Sequence, residues 1–503
     1  MRLKSALRRG VAAAVIAGIV VSSGIPAYAA PWNIADGDIT VKAGEAEGPN
    51  KVKQGDSDFV KDEGDTIITG TSDKNTVTIE AENEGDKVEV TLKDVNIDAS
   101  RGSEAAVSVT GKGDTNIELD GDNELQGGNR HAGLEHNQTV DSKGNVTSGK
   151  LTIQDDNDNA GSLTATGGYF GAGIGGGSAK AGQVTITGGT ITAISGDGAG
   201  IGGGQGNMGS NAGNADIEIS GGTIEATGGY TSAGIGGGCY GDAIIKITGD
   251  AVIKNATGGN FGAGIGGGGG GKGDITISGN AKIENAQGGY TGSGIGGGYG
   301  AENDKDGNGN QITIKSNESG APTVNATGGA ALTDENGNKA GPGGAGIGSG
   351  LSDATAKITI EGKVTIVAKA GEDNAAIGDM NGEQEFNGLA EGSSITRYDS
   401  KGNEITLPTD PGHPVPAPVP VPASPSSSGG GSAGASVQES VFPGLVVTDK
   451  DGQRISYTST QSGNTLTVCV GRFTASLRAS LSTLRQLRAE GIETITFQTI
   501  LCS

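Results

Sequence analysis

The 503-residue chain is poor in almost everything a large globular core requires. Aromatic residues make up 3% of it and hydrophobic residues 33%, with a single tryptophan. That is too little bulky apolar material for one large core, so the fold must have a thin interior. Three cysteines cannot form a disulfide framework, and no spacing among the cysteines and histidines resembles a zinc site. Only Cys469 and Cys502 share one small region and are placed to pair; Cys239 stands apart. Arginine is missing between Arg130 and Arg397, which removes the cationic base that solenoid-shaped lyases use. Clustered acids of the hydrolase kind are not evident either, so the sequence points to no enzyme. His131 and His136 flank "AGLE" and read as loop residues rather than catalytic ones.

What the chain has instead is glycine, 98 residues, and acid, for a net charge of −23. The glycines do not recur at every third position, which excludes collagen. Short alternating runs of Ile, Val and Leu exclude disorder. So acidic a surface repels nucleic acid and anionic membranes, and suits solubility or attraction of divalent cations.

The start, "MRLKSALRRGVAAAVIAGIVVSSGIPAYAA", has a basic n-region, an apolar stretch Val11–Val21 and a small-x-small site at Ala27–Ala29. This is a secretory signal peptide over residues 1–29, because the apolar run is too short for a membrane span. The expected product is secreted, extracellular or associated with the cell wall.

"GAGIGGG" occurs at Gly171–Gly177, Gly198–Gly204 and Gly262–Gly268, with variants at Ser232–Gly238, Gly292–Gly298 and Gly344–Gly350. It imitates the G-x-G-x-x-G of dinucleotide-binding loops, but every copy leads back into alternating residues and never into a helix. Aligned on this motif, the chain is a repeat of about 30 residues. Each unit holds three alternating segments separated by Gly-Gly or Gly-Asn/Asp corners, as in "QVTITGGTITAISGDGAGIGGG". The fold class is therefore all-β, a parallel β-solenoid with one unit per coil. Val184, Ile186, Ile191, Ala193, Ala199 and Ile201 are expected to point inward. The glycines of the third segment are expected to face out, leaving a side nearly free of side chains that another surface can approach.

Residues 30–148 read as an N-terminal cap and first coils, and 149–407 as the Gly-rich repeats ending in a hairpin over Glu391–Pro408. Residues 408–436, rich in Pro, Ser and Gly, form a linker. Residues 437–503 read as a small α+β module, with a helix carrying Leu477, Leu481, Leu484 and Leu487 on one face and stopped by Gly491. Its arginines make it a candidate dock on an anionic wall polymer, although a solvated helix face is the preferred reading of them.

Two features suggest ligands. Tyr169, Tyr230 and Tyr290 share one repeat position just after "GG", Phe170 and Phe261 share the next, and Tyr240 and Tyr299 follow the glycine motif. A row of rings on an extended surface can stack on sugars, or can simply pack over the corners. Tyr169, Phe170, Tyr230, Phe261, Tyr290 and Tyr299 are the candidate carbohydrate-binding residues. Acidic loops supply candidate Ca2+ ligands: Asp304, Asp306 and Asn308 in "DKDGNG", and Asp155, Asp156 and Asp158 in "DDNDN". Lys315 stands where an EF-hand has Glu, and ordinary Asp/Asn/Gly turns are the competing reading.

From "VTLKDVNI", "AAVSV" and "NIELDGDNELQGGN" through the repeating "ITISGG…ATGGY…GAGIGGG", Asp86–Gly350 resembles a family of exported, Gly-rich, right-handed β-helix proteins of Gram-positive bacteria described as carbohydrate-binding. The resemblance implies polysaccharide or host glycan as partner, uronate-rich among them, with calcium as helper. It covers about half the chain and carries over no individual binding residue. A structural adhesin or stalk is the alternative.

Overall fold

In the unit beginning at Gln183, Val184, Ile186, Ile191, Ala193, Ala199 and Ile201 are each at most 1% exposed. Thr185 and Thr192 between them are partly solvated. Period-2 alternation thus fixes both strand and facing, as the residues predict. The computed structural model describes residues 31–407 except 46–47, 158, 207–212, 335 and 387–388. It also describes the strands 445–449, 458–462, 465–470, 475–479 and 494–499. The signal peptide, the linker and Cys502 lie outside these residues.

Each coil contributes three strands, for example Gly182–Ile186, Thr190–Ile194 and Ile201–Gly202. The next coil repeats them as Ala215–Ile219, Thr223–Thr227 and Ile235–Gly236, parallel and in register: Val184 on Ile217, Ile191 on Ile224, Ile201 on Ile235. First and second strands merge into one 20-stranded sheet, because Lys87–Asp98 and Asp114–Gln126 run through both positions. Third strands, with short strands added at both ends, make a 14-stranded sheet. Along it Val77, Val107, Leu134, Ile174, Ile201, Ile235, Ile265, Ile295, Ile347 and Ile377 form one buried ladder. Burial of such a side chain is worth about 1.5–3 kcal/mol, so a core one side chain deep holds the coils together. This is a parallel β-solenoid.

The glycine side is not open. Gly175, Gly202, Gly236, Gly266, Gly296, Gly348 and Gly378 stack in register with φ between 128° and 153° and are buried. A Cβ on Gly266 would stand 1.9 Å from the Gly296 carbonyl oxygen. The Ala172 N–H donates to the Gly176 carbonyl, and Ala263 to Gly267 likewise, closing a narrow loop with the core isoleucine at its tip. The glycines serve coil-to-coil approach, not access from outside.

At the N-terminal end, Ile39–Lys42 continues the third-strand sheet and is covered by antiparallel Lys51–Gln54 and Val60–Lys61. At the other end Ser394–Tyr398 stacks on Thr365–Lys369 and turns back antiparallel into Glu404–Ile405. Both ends thereby finish in a two-residue antiparallel strand instead of a long parallel edge.

The C-terminal unit is separate. Leu445–Asp449 pairs antiparallel with Ala475–Ala479, and Thr465–Val470 lies between antiparallel Thr458–Ser462 and parallel Thr494–Thr499. The expected helix is corrected at its start: Leu477 belongs to a strand, because its backbone pairs with Val447. The remainder of that helix lies outside the described residues. Among the described residues no helix is long and apolar enough to cross a membrane.

Candidate functional site

In the coils of Tyr169, Tyr230, Phe261 and Tyr290 the Gly-Gly corner after the second strand is a β-turn, and in the coils of Tyr169, Tyr230 and Phe261 another follows the third strand. In the coil of Tyr169 these turns close through Gly171 N–H to Gly168 O and Lys180 N–H to Gly177 O. The two sets of turns are laced together across coils. Gln205 N–H donates to Phe170 O at 2.9 Å, Gly269 to Thr231 at 2.6 Å, Tyr299 to Phe261 at 2.9 Å and Leu351 to Thr291 at 2.7 Å. The aromatic corners therefore ride on backbone that is bonded in two directions.

The candidate rings divide into two groups. Tyr169, Tyr230 and Tyr290 are exposed by 63%, 57% and 49%. Phe170 and Phe261 are half-buried beneath them. Phe170 meets Tyr169 edge-on at 4.6 Å, with the Arg130 guanidinium over its ring at 5.8 Å. Phe261 is wedged between Tyr230, 5.8 Å away and nearly perpendicular, and Tyr299 at 5.2 Å. Tyr299 thus braces Phe261. Tyr240, which shares a sequence description with Tyr299, sits one position later in its turn, with φ 58° and its ring against Gly270.

Two residues missed by the sequence reading lie in the same row. Counting from the second glycine, the corner position runs Tyr169, Asp197, Tyr230, Asn260, Tyr290. Asp197 escapes notice because its coil has Ser195–Gly196 in place of Gly-Gly; strict coil-by-coil alignment would have found it. Burial pushes the Asp197 carboxyl above the usual range, opposed by hydrogen bonds from the Tyr169 phenol and the Tyr230 backbone N–H. Nearby Cys239 is buried, and its thiol is pushed up by that burial, with Asp197 adding to the effect.

A family model described as a beta helix repeat matches residues 159–178, 184–205 and 217–239. The chain carries a beta-helix repeat domain. The matched stretches hold Tyr169, Phe170 and Asp197 of the aromatic row, and Tyr230 of the coil that follows. No curated protein and no solved structure matches the chain.

The acidic loops behave as turns. Asp304 Oδ1 accepts the N–H groups of Asp306 and Asn308, both at 2.9 Å, and the Asn308 amide donates to both carboxylate oxygens. The Lys272 ammonium stands 4.0 Å away. The same Asp-x-x-Gly-Asn closure occurs at Asp141–Asn145, Asp334–Asn338 and Asp399–Asn403. A carboxylate already filled by N–H donors, beside an ammonium, does not fit a calcium ion. In the other loop Asp155 Oδ2 accepts from Gly161 N–H, and Asp156 N–H donates to Glu118. The Asp156 side chain is exposed. Asp158 lies outside the described residues. Among the described residues no group of three or more His, Cys, Asp or Glu converges on a common point.

The histidines are occupied in the loop that replaces the glycine motif. His131 Nδ1 lies 2.8 Å from the buried Glu135 carboxylate, which also accepts the Ala132 N–H. His136 is buried between the carbonyls of Val109 and Gly149.

Proposed function

We propose that this is an exported, surface-displayed, non-catalytic glycan-binding solenoid whose ligand stacks on Tyr169, Tyr230 and Tyr290. The observation that carries the reading is their arrangement: three half- to two-thirds-exposed rings at one repeat position, on turns bonded both along and across the coils. Rings held this firmly lose little freedom on binding. Their apolar faces suit the C–H faces of sugars, and the Tyr169 hydroxyl, which bonds Asp197, ties the first platform to the polar residue beside it. Phe170 and Phe261 pack against Tyr169 and Tyr230 and hold those platforms, while Tyr299, 42% exposed, flanks Phe261 at the edge of the row.

The second reading is a structural adhesin or stalk, with the solenoid as spacer. It draws on the unbroken isoleucine ladder and on the Pro-rich linker. One experiment separates the two. The full chain and its Tyr230→Ala/Tyr290→Ala variant are passed over a glycan array and immobilised polygalacturonate, with calcium and with chelator. Retention lost in the variant supports the glycan reading; absence of retention on every glycan overturns it in favour of the stalk.

A further inference from the structure

We propose that the row accepts a linear, uncharged polysaccharide lying along the solenoid axis, with one tyrosine platform per disaccharide; this rests on the glycan-binding reading above. The register of the second strands sets the geometry. Leu163, Ile191, Ile224, Ile253 and Ile283 are successive partners in one ladder, so Tyr169, Asp197, Tyr230, Asn260 and Tyr290 rise one coil at a time. Each tyrosine is separated from the next by two inter-strand steps, about 9.6 Å. That is close to the length of a disaccharide in an extended chain. In such a chain alternate sugars present the same face to one side. A platform under every second sugar is then the complementary surface, and a helical or branched polymer does not match it.

The intervening residues complete the match. Asp197 and Asn260 are half-buried side chains between the platforms, placed to meet the hydroxyl edges of the sugars that do not stack. Asp197 also selects charge. Asp197 lies at the centre of the Tyr169–Tyr230 interval, in a chain of net charge −23, and burial already disfavours its own ionised form. A uronate there would place a second carboxylate beside it. The row is bounded as well. Ala330 takes the row's next position after Tyr290, and the hairpin Leu332–Thr333/Lys339–Gly341 emerges directly after it. From Tyr169 to Tyr290 is four coil steps, about 19 Å, room for roughly four to five sugars.

The test is calorimetric titration of the full chain with β-1,4-linked oligomers of glucose, mannose and N-acetylglucosamine and with α-1,4-linked oligogalacturonate, from disaccharide to hexasaccharide. The expected result is binding of a neutral series, with affinity rising until the row is filled and flat beyond. Tyr230→Ala, checked for unchanged melting temperature, is expected to weaken the longer oligomers by roughly three- to tenfold. Tyr230→Ala is also expected to leave the disaccharide nearly unaffected, since either outer platform still serves it. Preference for galacturonate, or affinity independent of length, overturns this inference while leaving a glycan-binding protein. No binding of any glycan here or on the array overturns the reading beneath it.

Discussion

The Arg397 guanidinium, fully buried, lies 2.7 Å from the Glu383 carboxylate at the point where the coils end. Within the solenoid, Gly346 and Ile347 donate their N–H groups to Ala375 and Ala376 of the following coil. The corresponding donors of the last coil, Ala376 and Ile377, are met by the two oxygens of Glu383. One carboxylate therefore stands in for two carbonyls of an absent coil, and Arg397 neutralises it while bonding Gln384 O and covering Phe386.

Arg397→Met should therefore leave a poorly exposed carboxylate unpaired, at a cost of about 3–5 kcal/mol. Urea unfolding of the full chain measures it. The Ala376 and Ile377 amides should exchange faster than those of Ile265. Adding Glu383→Gln should recover part of the loss, because the buried charge is gone while an acceptor remains. Equal losses in single and double variants would show that the cap works by packing alone.

The glycine ladder makes a sharper demand. Gly266→Ala places a methyl within 2 Å of backbone in the next coil, in a φ region near 138° that other residues avoid. The neighbour cannot yield without breaking register, so a loss of several kcal/mol or failure to fold is expected. Gly307→Ala is the comparison: φ is 81° but a Cβ meets nothing within 4 Å, so only the backbone cost of about 1–2 kcal/mol applies. Thermal unfolding of the two variants should separate steric from conformational cost.

The inward residues from Val184 to Ile201 were legible because their signal is local and repeated: two-residue alternation, copied every coil. The tyrosine row was legible for the same reason. Asp197 was hidden by one substituted glycine in its own corner. The glycines of "GAGIGGG" read as an outward face because alternation assumes extended backbone with negative φ, and the glycine after each isoleucine, such as Gly175 and Gly266, has φ of the opposite sign. Glu383 and Arg397 gave no signal, since each occurs once and their pairing depends on where the stacking stops. Leu477 misled through its spacing to later leucines, where strand partnership with the segment around Val447 decides.

The Asp-x-x-Gly-Asn turns give a prediction about calcium. Hydrogen bonds from Asn308, first its backbone N–H and then its amide, hold the Asp304 carboxyl below its ordinary range; Asn145, Asn338 and Asn403 do the same for Asp141, Asp334 and Asp399. The stabilisation is present above the unfolded value of 3.8 and is lost as pH falls below it. Chelator is expected to leave the melting temperature unchanged at neutral pH, and Asp304→Ala and Asp141→Ala are each expected to lower it slightly. A chelator-dependent fall confined to wild type, absent in Asp304→Ala, would assign the loop to a cation instead.

Asp216 should show the opposite pH dependence. It lies on the outward face of the first strand of its coil, two residues before Glu218. Burial raises its carboxyl above the usual value, Glu218 adds to this, and Lys150 opposes it. The folded chain therefore binds this proton more tightly than the unfolded chain does. Stability must fall as pH rises from about the unfolded value of 3.8 through the higher folded one, and the loss persists above that window. Asp216→Asn removes the ionisation and keeps the shape, so the variant should be more stable than wild type at neutral pH. The advantage should vanish below the unfolded value, where both side chains are uncharged. Melting curves of the two proteins across that range check the sign. A constant difference at all pH values would mean that the amide gains a hydrogen bond and that the charge is already relieved by Lys150.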